Sequence, residues 1–400
     1  FDENNPHLLK RFDYIVVNPP FSYKSWMDGI SIPDEYGRYS EADFGVPPEK
    51  NGDFAWLLHV VKSLKFTGKA AIILPHGVLF RGNSEAAIRK KIIDQGFIKG
   101  VIGLPANLFY GTGIPACIII LDKEDAARRK GVFMIDASKG CIKDGNKNRL
   151  REQDIHKVVT TFTQWDTSDP KYARFVPNDE IKNANEYNLN IPRYIDSSEP
   201  EDLQDINAHL NGGIPATDVD GMKAYWDVYP SLKGILFQPL CAGYYRPVVA
   251  KKDVVTTISS QDEFIRHADM VDDAYTTWKE RAAPRIMALT RENQPKGVIA
   301  EISESLLAAF SDVPLLNKYD VYQVLMEYWE EAMQDDVYAV CFGGYEAGRE
   351  ISYEYATKKK KENGVTVEVQ TDKVKGFDGR LIPKALVAEY FFADEAKALG

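Results

Sequence analysis

The chain has 400 residues, 44% of them hydrophobic and 27% charged, and carries a net charge of −10 at pH 7. That length predicts a core domain plus one or two appended units. No uninterrupted apolar run approaches the roughly 20 residues of a membrane-crossing helix, which argues against an integral helical membrane protein.

Phe12 to Val17 (FDYIVV) is a short β-rich run stopped by two prolines, and it predicts a buried strand. Ser22 to Gly52 is polar and aromatic without a clean period, too long for a simple connection, and expected to be functional or mobile. Phe54, Leu57, Leu58, Val61 and Leu64 recur at helical spacing, with Gly68 expected to close that helix. Ala70 to Leu74 predicts a second buried strand. Ser84 is placed to cap a helix whose apolar face includes Ile88, Ile92 and Ile93 and which Gly96 stops. Ile98 to Leu104, Ile114 to Leu121 and Val132 to Ile135 complete the strands. Alternating strands and helices followed by a hairpin predict the back half of a doubly wound α/β sheet.

Beyond about residue 150 the texture changes. Asp154 is expected to cap a helix ending near Trp165, and an irregular segment runs on to Pro200. The rest reads as mostly helical, with helices over 270–288, 302–310, 319–333 and 383–399 and one strand over 364–370. The expected organisation is a partial catalytic domain over 1–150, a connecting extension over 151–200 and an α-rich assembly region over 201–400.

The four cysteines (Cys117, Cys141, Cys241, Cys341) form no C-x-x-C pair, and the six histidines show no metal-ligand spacing. Neither a disulfide framework nor a metal site is expected, and a reducing cytoplasm is the expected location. Arg89-Lys90-Lys91, Arg128-Arg129-Lys130, Lys143 to Arg151 and Lys358 to Lys361 are local basic clusters in an acidic chain. Binding to nucleic acid therefore needs either basic residues gathered on one face or a partner that supplies phosphate contacts.

The chemistry concentrates at Asn18-Pro19-Pro20-Phe21, at the C-terminal end of the first strand, the edge at which open α/β sheets bind ligands. A [DNS]-P-P-[YFW] sequence arises by chance in about one chain of this length in a hundred. An exocyclic amine conjugated to a ring is a poor nucleophile. Acceptors for both its hydrogens free the lone pair to attack a sulfonium methyl. The Asn18 side-chain oxygen and the Pro19 carbonyl are such acceptors, two prolines fix them in advance, and Phe21 offers a stacking face for a flipped base. No titrating base or metal is required.

The motif resembles the signature of amino-methyltransferases. The stretches N-G-D-F-A-W-L-L-H at 51–59, G-K-A-A-I-I-L-P-H-G-V-L-F-R-G at 68–82, Y-G-T-G-I-P-A-C-I-I-I-L-D-K at 110–123, E-Y-N-L-N-I-P-R-Y-I at 186–195 and G-R-L-I-P-K-A-L-V-A-E-Y-F-F at 379–392 resemble the modification (M) subunit of type I restriction–modification systems. The resemblance implies a Rossmann-like methyltransferase sheet, site-specific N6-adenine methylation of DNA and S-adenosylmethionine as donor. It also implies work beside a specificity subunit, a restriction subunit and a second M subunit. By it, Asp53 and Phe54 would line the donor side of the pocket, and the 22–52 loop would close over the target base through Trp26, Tyr36 and Tyr39. His59 and His76 are expected to be ordinary hydrogen-bonded core histidines.

The glycine-rich F-x-G-x-G turn that holds the donor in such enzymes does not precede Asn18, and Gly111-Thr112-Gly113 follows the motif and precedes a strand, not a helix. The chain also starts at Phe1, as if cut within a domain. The expectation is a fragment that binds S-adenosylmethionine weakly and is inactive alone; a calorimetric titration giving micromolar affinity would overturn it. A stand-alone amino-methyltransferase of RNA adenine or protein glutamine, and a non-catalytic assembly module, are the competing readings.

Overall fold

The computed structural model describes residues 5, 7–32, 34–198, 204–349, 351–362 and 365–379. The chain forms two compact units, Phe1–Glu201 and Asp202–Gly400.

The first unit is built on a six-stranded sheet. Strand β1 (Phe12–Val17) is followed by α1 (Asp53–Ser63), β2 (Leu64–Pro75), α2 (Asn83–Asp94), β3 (Ile98–Gly103), β4 (Ala116–Asp122) and β5 (Gly131–Asp136). A two-stranded hairpin, β6 (Ile142–Asp144) and β7 (Lys147–Arg149), leads into α3 (Glu152–Gln164) and β8 (Ala173–Pro177). The order across the sheet is β1-β2-β4-β3-β5-β8. β1 is parallel to β2 and β3 to β5, while β4 runs antiparallel to both β2 and β3 and β8 antiparallel to β5. Four strands thus point one way, as expected of the back half of a doubly wound sheet.

The differences from expectation are local. β1 is an edge strand, and its outward residues Tyr14 and Val16 are 75% and 87% exposed, so the run of apolar residues is buried on one side only. Gly68 lies inside β2, which begins directly after α1 at Leu64. Gly82, not Ser84, precedes α2. Asp154 sits one turn inside α3, where its carboxylate accepts from the backbone N of Arg151 at 2.9 Å and closes a capping box. Residues 151–200 are not a separate extension. β8 completes the sheet, and Leu189, Ile191 and Ile195 enter the main core beside Leu58, Ile72 and Ile92.

Arg89, read from the sequence as part of a basic cluster, is buried. Its guanidinium donates to the carbonyls of Tyr187 (2.9 Å), Val78 (3.1 Å) and Arg81 (2.9 Å), and so ties the 186–195 segment to the region around α2. Burial pulls its pKa down to about 10, which leaves it charged at neutral pH.

Tyr39 and Tyr194 are also core residues, donating to the carbonyls of Ala55 and Asn188, and burial pushes both phenols up to about 12. In the unfolded chain a tyrosine ionises near 10. The folded state therefore holds these protons more tightly. Its advantage is complete below pH 10 and is lost as pH rises toward 12, on the order of 2–3 kcal/mol for each phenol. The expected result is cooperative unfolding of the first unit between pH 10 and 12, with phenolate absorbance rising together with loss of circular dichroism. Phenolate formation well ahead of unfolding would contradict it.

The second unit is helical, as expected over 201–400, but not exclusively. Helices Asp262–Met287, Pro295–Ala309 and Lys318–Tyr328 are present, and the last continues through a wider turn (Trp329–Met333) into Gln334–Gly343. Val298, Ile302, Leu306, Leu325, Trp329 and Val340 form its core. Along Lys318–Tyr328, Leu325 is in that core, Val321 packs against it and Tyr328 is exposed. A three-stranded sheet (Phe237–Cys241, Tyr244–Pro247, Ile214–Pro215) and an antiparallel ribbon pairing Ile351–Glu362 with Val365–Gly379 were not anticipated, apart from the stretch around 365–370. The helix expected over 383–399, and most of the 379–392 stretch, lie outside the described residues. No helix among the described residues is long and apolar enough to cross a membrane, and no group of histidine, cysteine or carboxylate side chains among them could hold a metal ion.

Candidate active site

Because β1, β2, β3 and β5 run the same way, their C-terminal ends share one edge of the sheet. Asn18-Pro19-Pro20-Phe21 leaves β1 at that edge, His76 leaves β2, Leu104 leaves β3 and Ala137 leaves β5. Register pairs Val17 with Ile72, so the motif turns away beside the last residues of β2. Pro19 is buried, Asn18 and Pro20 are exposed, and Phe21 is half-buried. Among the described residues nothing hydrogen-bonds the Asn18 amide, which leaves its oxygen free as an acceptor.

Phe21 meets Phe109 edge-to-face, with ring centroids 5.3 Å apart. Phe109 belongs to the loop between β3 and β4, which the β6–β7 hairpin holds. Lys147 Nζ donates to the carbonyls of Phe109 (2.7 Å) and Thr112 (2.8 Å), and Asn148 donates through its side chain to Ala106 and through its backbone to Asn107. The basic Lys143 to Arg151 stretch therefore includes a structural support for the aromatic wall of the site. Tyr110, at the tip of this loop, is exposed.

The Asn51 side-chain oxygen accepts from the backbone N of Asp53 at 3.0 Å at the start of α1. Gly52 lies where a Cβ would come within 2.9 Å of Trp26 Cβ and 3.1 Å of the Tyr23 carbonyl oxygen, so only glycine permits this approach. Asp53 is fully buried. Its Oδ1 accepts from Ser22 N (2.6 Å), and its Oδ2 accepts from Ser22 Oγ (3.2 Å) and Arg81 Nη1 (2.8 Å). Phe54 is a core side chain. Expected to line a donor pocket, neither residue borders open space. Asp53 points inward from the first turn of α1, with both oxygens engaged.

Ser22 is the residue immediately after Phe21, and its φ of 48° is left-handed, so the chain reverses there under the hold of Asp53. Arg81 reaches Asp53 by crossing Gly77, where a Cβ would lie 2.6 Å from its Nε, and also pairs with Glu85 at 3.0 Å. Burial alone would lower the Arg81 pKa, but the bond to Asp53 and the charges of Glu85 and Asp53 raise it. Burial raises that of Glu85 against the pull of Arg81.

The 22–52 loop is packed on its own unit. Trp26 and Tyr39 are buried and meet edge-to-face at 5.0 Å, and Trp26 Nε1 donates to the Pro48 carbonyl at 2.8 Å. Expected to contact a target base, both are instead core residues, because their apolar area is worth more under α1 than in solvent. Tyr36 remains half-buried, beneath the Arg38 guanidinium. Arg38 pairs with buried Asp34 and lies 3.3 Å from His59 Nδ1. Burial, then the charge of Arg38, lowers the His59 pKa. His76 is not the satisfied core histidine expected. Its buried Nε2 has no hydrogen-bond partner among the described residues, and burial lowers its pKa. Ser22, Arg81, Phe109 and Lys147 were missed; each is recruited by a contact with no local sequence signal.

A family model, N-6 DNA Methylase, matches residues 1–203. The chain belongs to the N-6 DNA methylase family. It is 36% identical over 204 residues to the type I restriction enzyme HindI methylase subunit of Haemophilus influenzae, covering 49% of this chain and 44% of that protein. It is 33% identical over 225 residues to the MpnII methylase subunit of Mycoplasma pneumoniae, covering 56% and 40%. A solved type I methyltransferase subunit from Streptococcus thermophilus shares 40% identity, covering 47% of this chain and 39% of that one, with a TM-score of 0.41. The chain thus spans less than half the length of the relatives it matches. The N-P-P-F turn, its Asp53 anchor and its Phe109 wall all lie within the matched residues.

Proposed function

We propose that this chain supplies the base-holding side of an N6-adenine DNA methyltransferase, as part of the M subunit of a type I restriction–modification complex. The observation that carries this is the placement of an unengaged Asn18 acceptor and a half-buried Phe21 on a rigid turn at the ligand-binding edge of the sheet. Asn18 Oδ1 and the Pro19 carbonyl accept the two hydrogens of the target amine, and Phe21 stacks on the flipped base. The amine nitrogen attacks the methyl of S-adenosylmethionine, S-adenosylhomocysteine leaves, and a proton is lost to solvent. DNA is the substrate. A specificity subunit reads its sequence, which fits a net charge of −10 on this chain. A restriction subunit and a second M subunit complete the assembly, in the cytoplasm and without membrane contact.

The test is methylation of unmethylated genomic DNA by the complete M subunit that carries this chain, assembled with its specificity subunit and supplied with labelled donor, followed by mass spectrometry of the nucleosides. N6-methyladenine is expected. Label in RNA or in glutamine side chains, with none in DNA adenine, would replace this reading with one of the other acceptors.

A further inference from the structure

We infer that Asp53, held by Arg81, is the positioning residue of the N-P-P-F turn: it sets where Asn18 and Phe21 stand, and it does so without touching the methyl donor. The role in methyl transfer rests on the function proposed above; the anchoring does not.

Three observations converge. Asp53 is fully buried, and both oxygens are spent on one residue of the turn, Ser22, and one cation, Arg81. Ser22 occupies a left-handed conformation that a non-glycine residue adopts only when its surroundings hold it there. The cation is itself placed by its environment: Gly77 leaves room for the guanidinium, and Glu85 binds the same Nη1. The turn is thus fixed at one end by β1, through the parallel pairing of Val17 with Ile72, and at the other by a charged bond from α1. Phe21 stands between these two anchors. Releasing the second lets Phe21 and the Pro19 carbonyl swing about the β1 end, and a displacement of about 1 Å in a catalytic arrangement costs on the order of a hundredfold in rate.

The experiment has two arms, using Asp53→Asn, Asp53→Ala and, in case the alanine variant fails to fold, Arg81→Lys. In the chain alone, hydrogen exchange followed by mass spectrometry is expected to show at least about tenfold faster exchange in peptides spanning 18–24 for the Asp53 variants, with β3 to β5 unchanged. In the assembled complex, kcat for DNA methylation is expected to fall about a hundredfold in Asp53→Ala and less in Asp53→Asn, while the Kd for labelled S-adenosylmethionine stays within about twofold. Unchanged exchange over 18–24 overturns the anchoring whatever the activity. A Kd raised about tenfold or more with kcat retained overturns the positioning role and returns Asp53 to the donor pocket. A wild-type complex that yields no N6-methyladenine refutes the proposed function and leaves the exchange arm to decide the anchor.

Discussion

Replacing Arg89 by methionine is expected to lower the unfolding free energy of the first unit by about 3–5 kcal/mol. The side chain is 4% exposed and satisfies three carbonyls on two separate stretches, Val78 and Arg81 on one and Tyr187 on the other. Methionine matches much of the stem volume but donates nothing, so each buried carbonyl loses its partner at about 1–3 kcal/mol. The buried carboxylate of Glu85 also loses a neighbouring positive charge. Lysine offers a point charge in place of a planar fork, so it recovers part of the loss at most. Urea unfolding read by hydrogen exchange in β2 to β5 measures the first unit separately from the second. A loss below about 1 kcal/mol would mean that water reaches these carbonyls and the tie is dispensable.

What the sequence disclosed follows from how far each signal is local. The runs AAIIL and ACIIIL mark β2 and β4 because central strands are continuously apolar, and IVV marks β1 although only one of its faces is covered; each pattern is contained within its own segment. β8 (ARFVP) was not legible, because an edge strand needs a partner on one side only and its few residues show no sustained period. The N-P-P-F motif was legible as a candidate site, since Pro-Pro and the flanking acceptor and ring are adjacent in the chain. Its support was not. Ser22 and Asp53 are 31 residues apart, Asp53 and Arg81 are 28 apart, and no periodicity links them. The aromatics of the 22–52 loop misled for the same reason. Trp26 and Tyr39 have the composition of a base-binding loop, and only their contacts with Pro48 and Ala55 assign them to the core.

Replacing Asn18 by alanine in the assembled complex is expected to lower kcat by about a hundred- to a thousandfold, with little change in KM for DNA. Asn18 sits just after β1, exposed and with no hydrogen-bond partner for its amide among the described residues, so the unfolding free energy should be unaltered within about 0.5 kcal/mol. Under the proposed function its value is realised only as the adenine amine loses conjugation and its hydrogens become more acidic, when an acceptor at fixed distance gains strength over its ground-state bond. That predicts a loss confined to the chemical step. Asn18→Asp keeps an acceptor oxygen at the same position and should retain more of the rate than alanine, whereas Asn18→Leu, of similar size without an acceptor, should behave as alanine does. Rapid-quench single-turnover kinetics isolate this step from product release. If aspartate and leucine variants lose activity equally, the side chain acts by shape and not as an acceptor, and the Pro19 carbonyl alone would have to orient the amine.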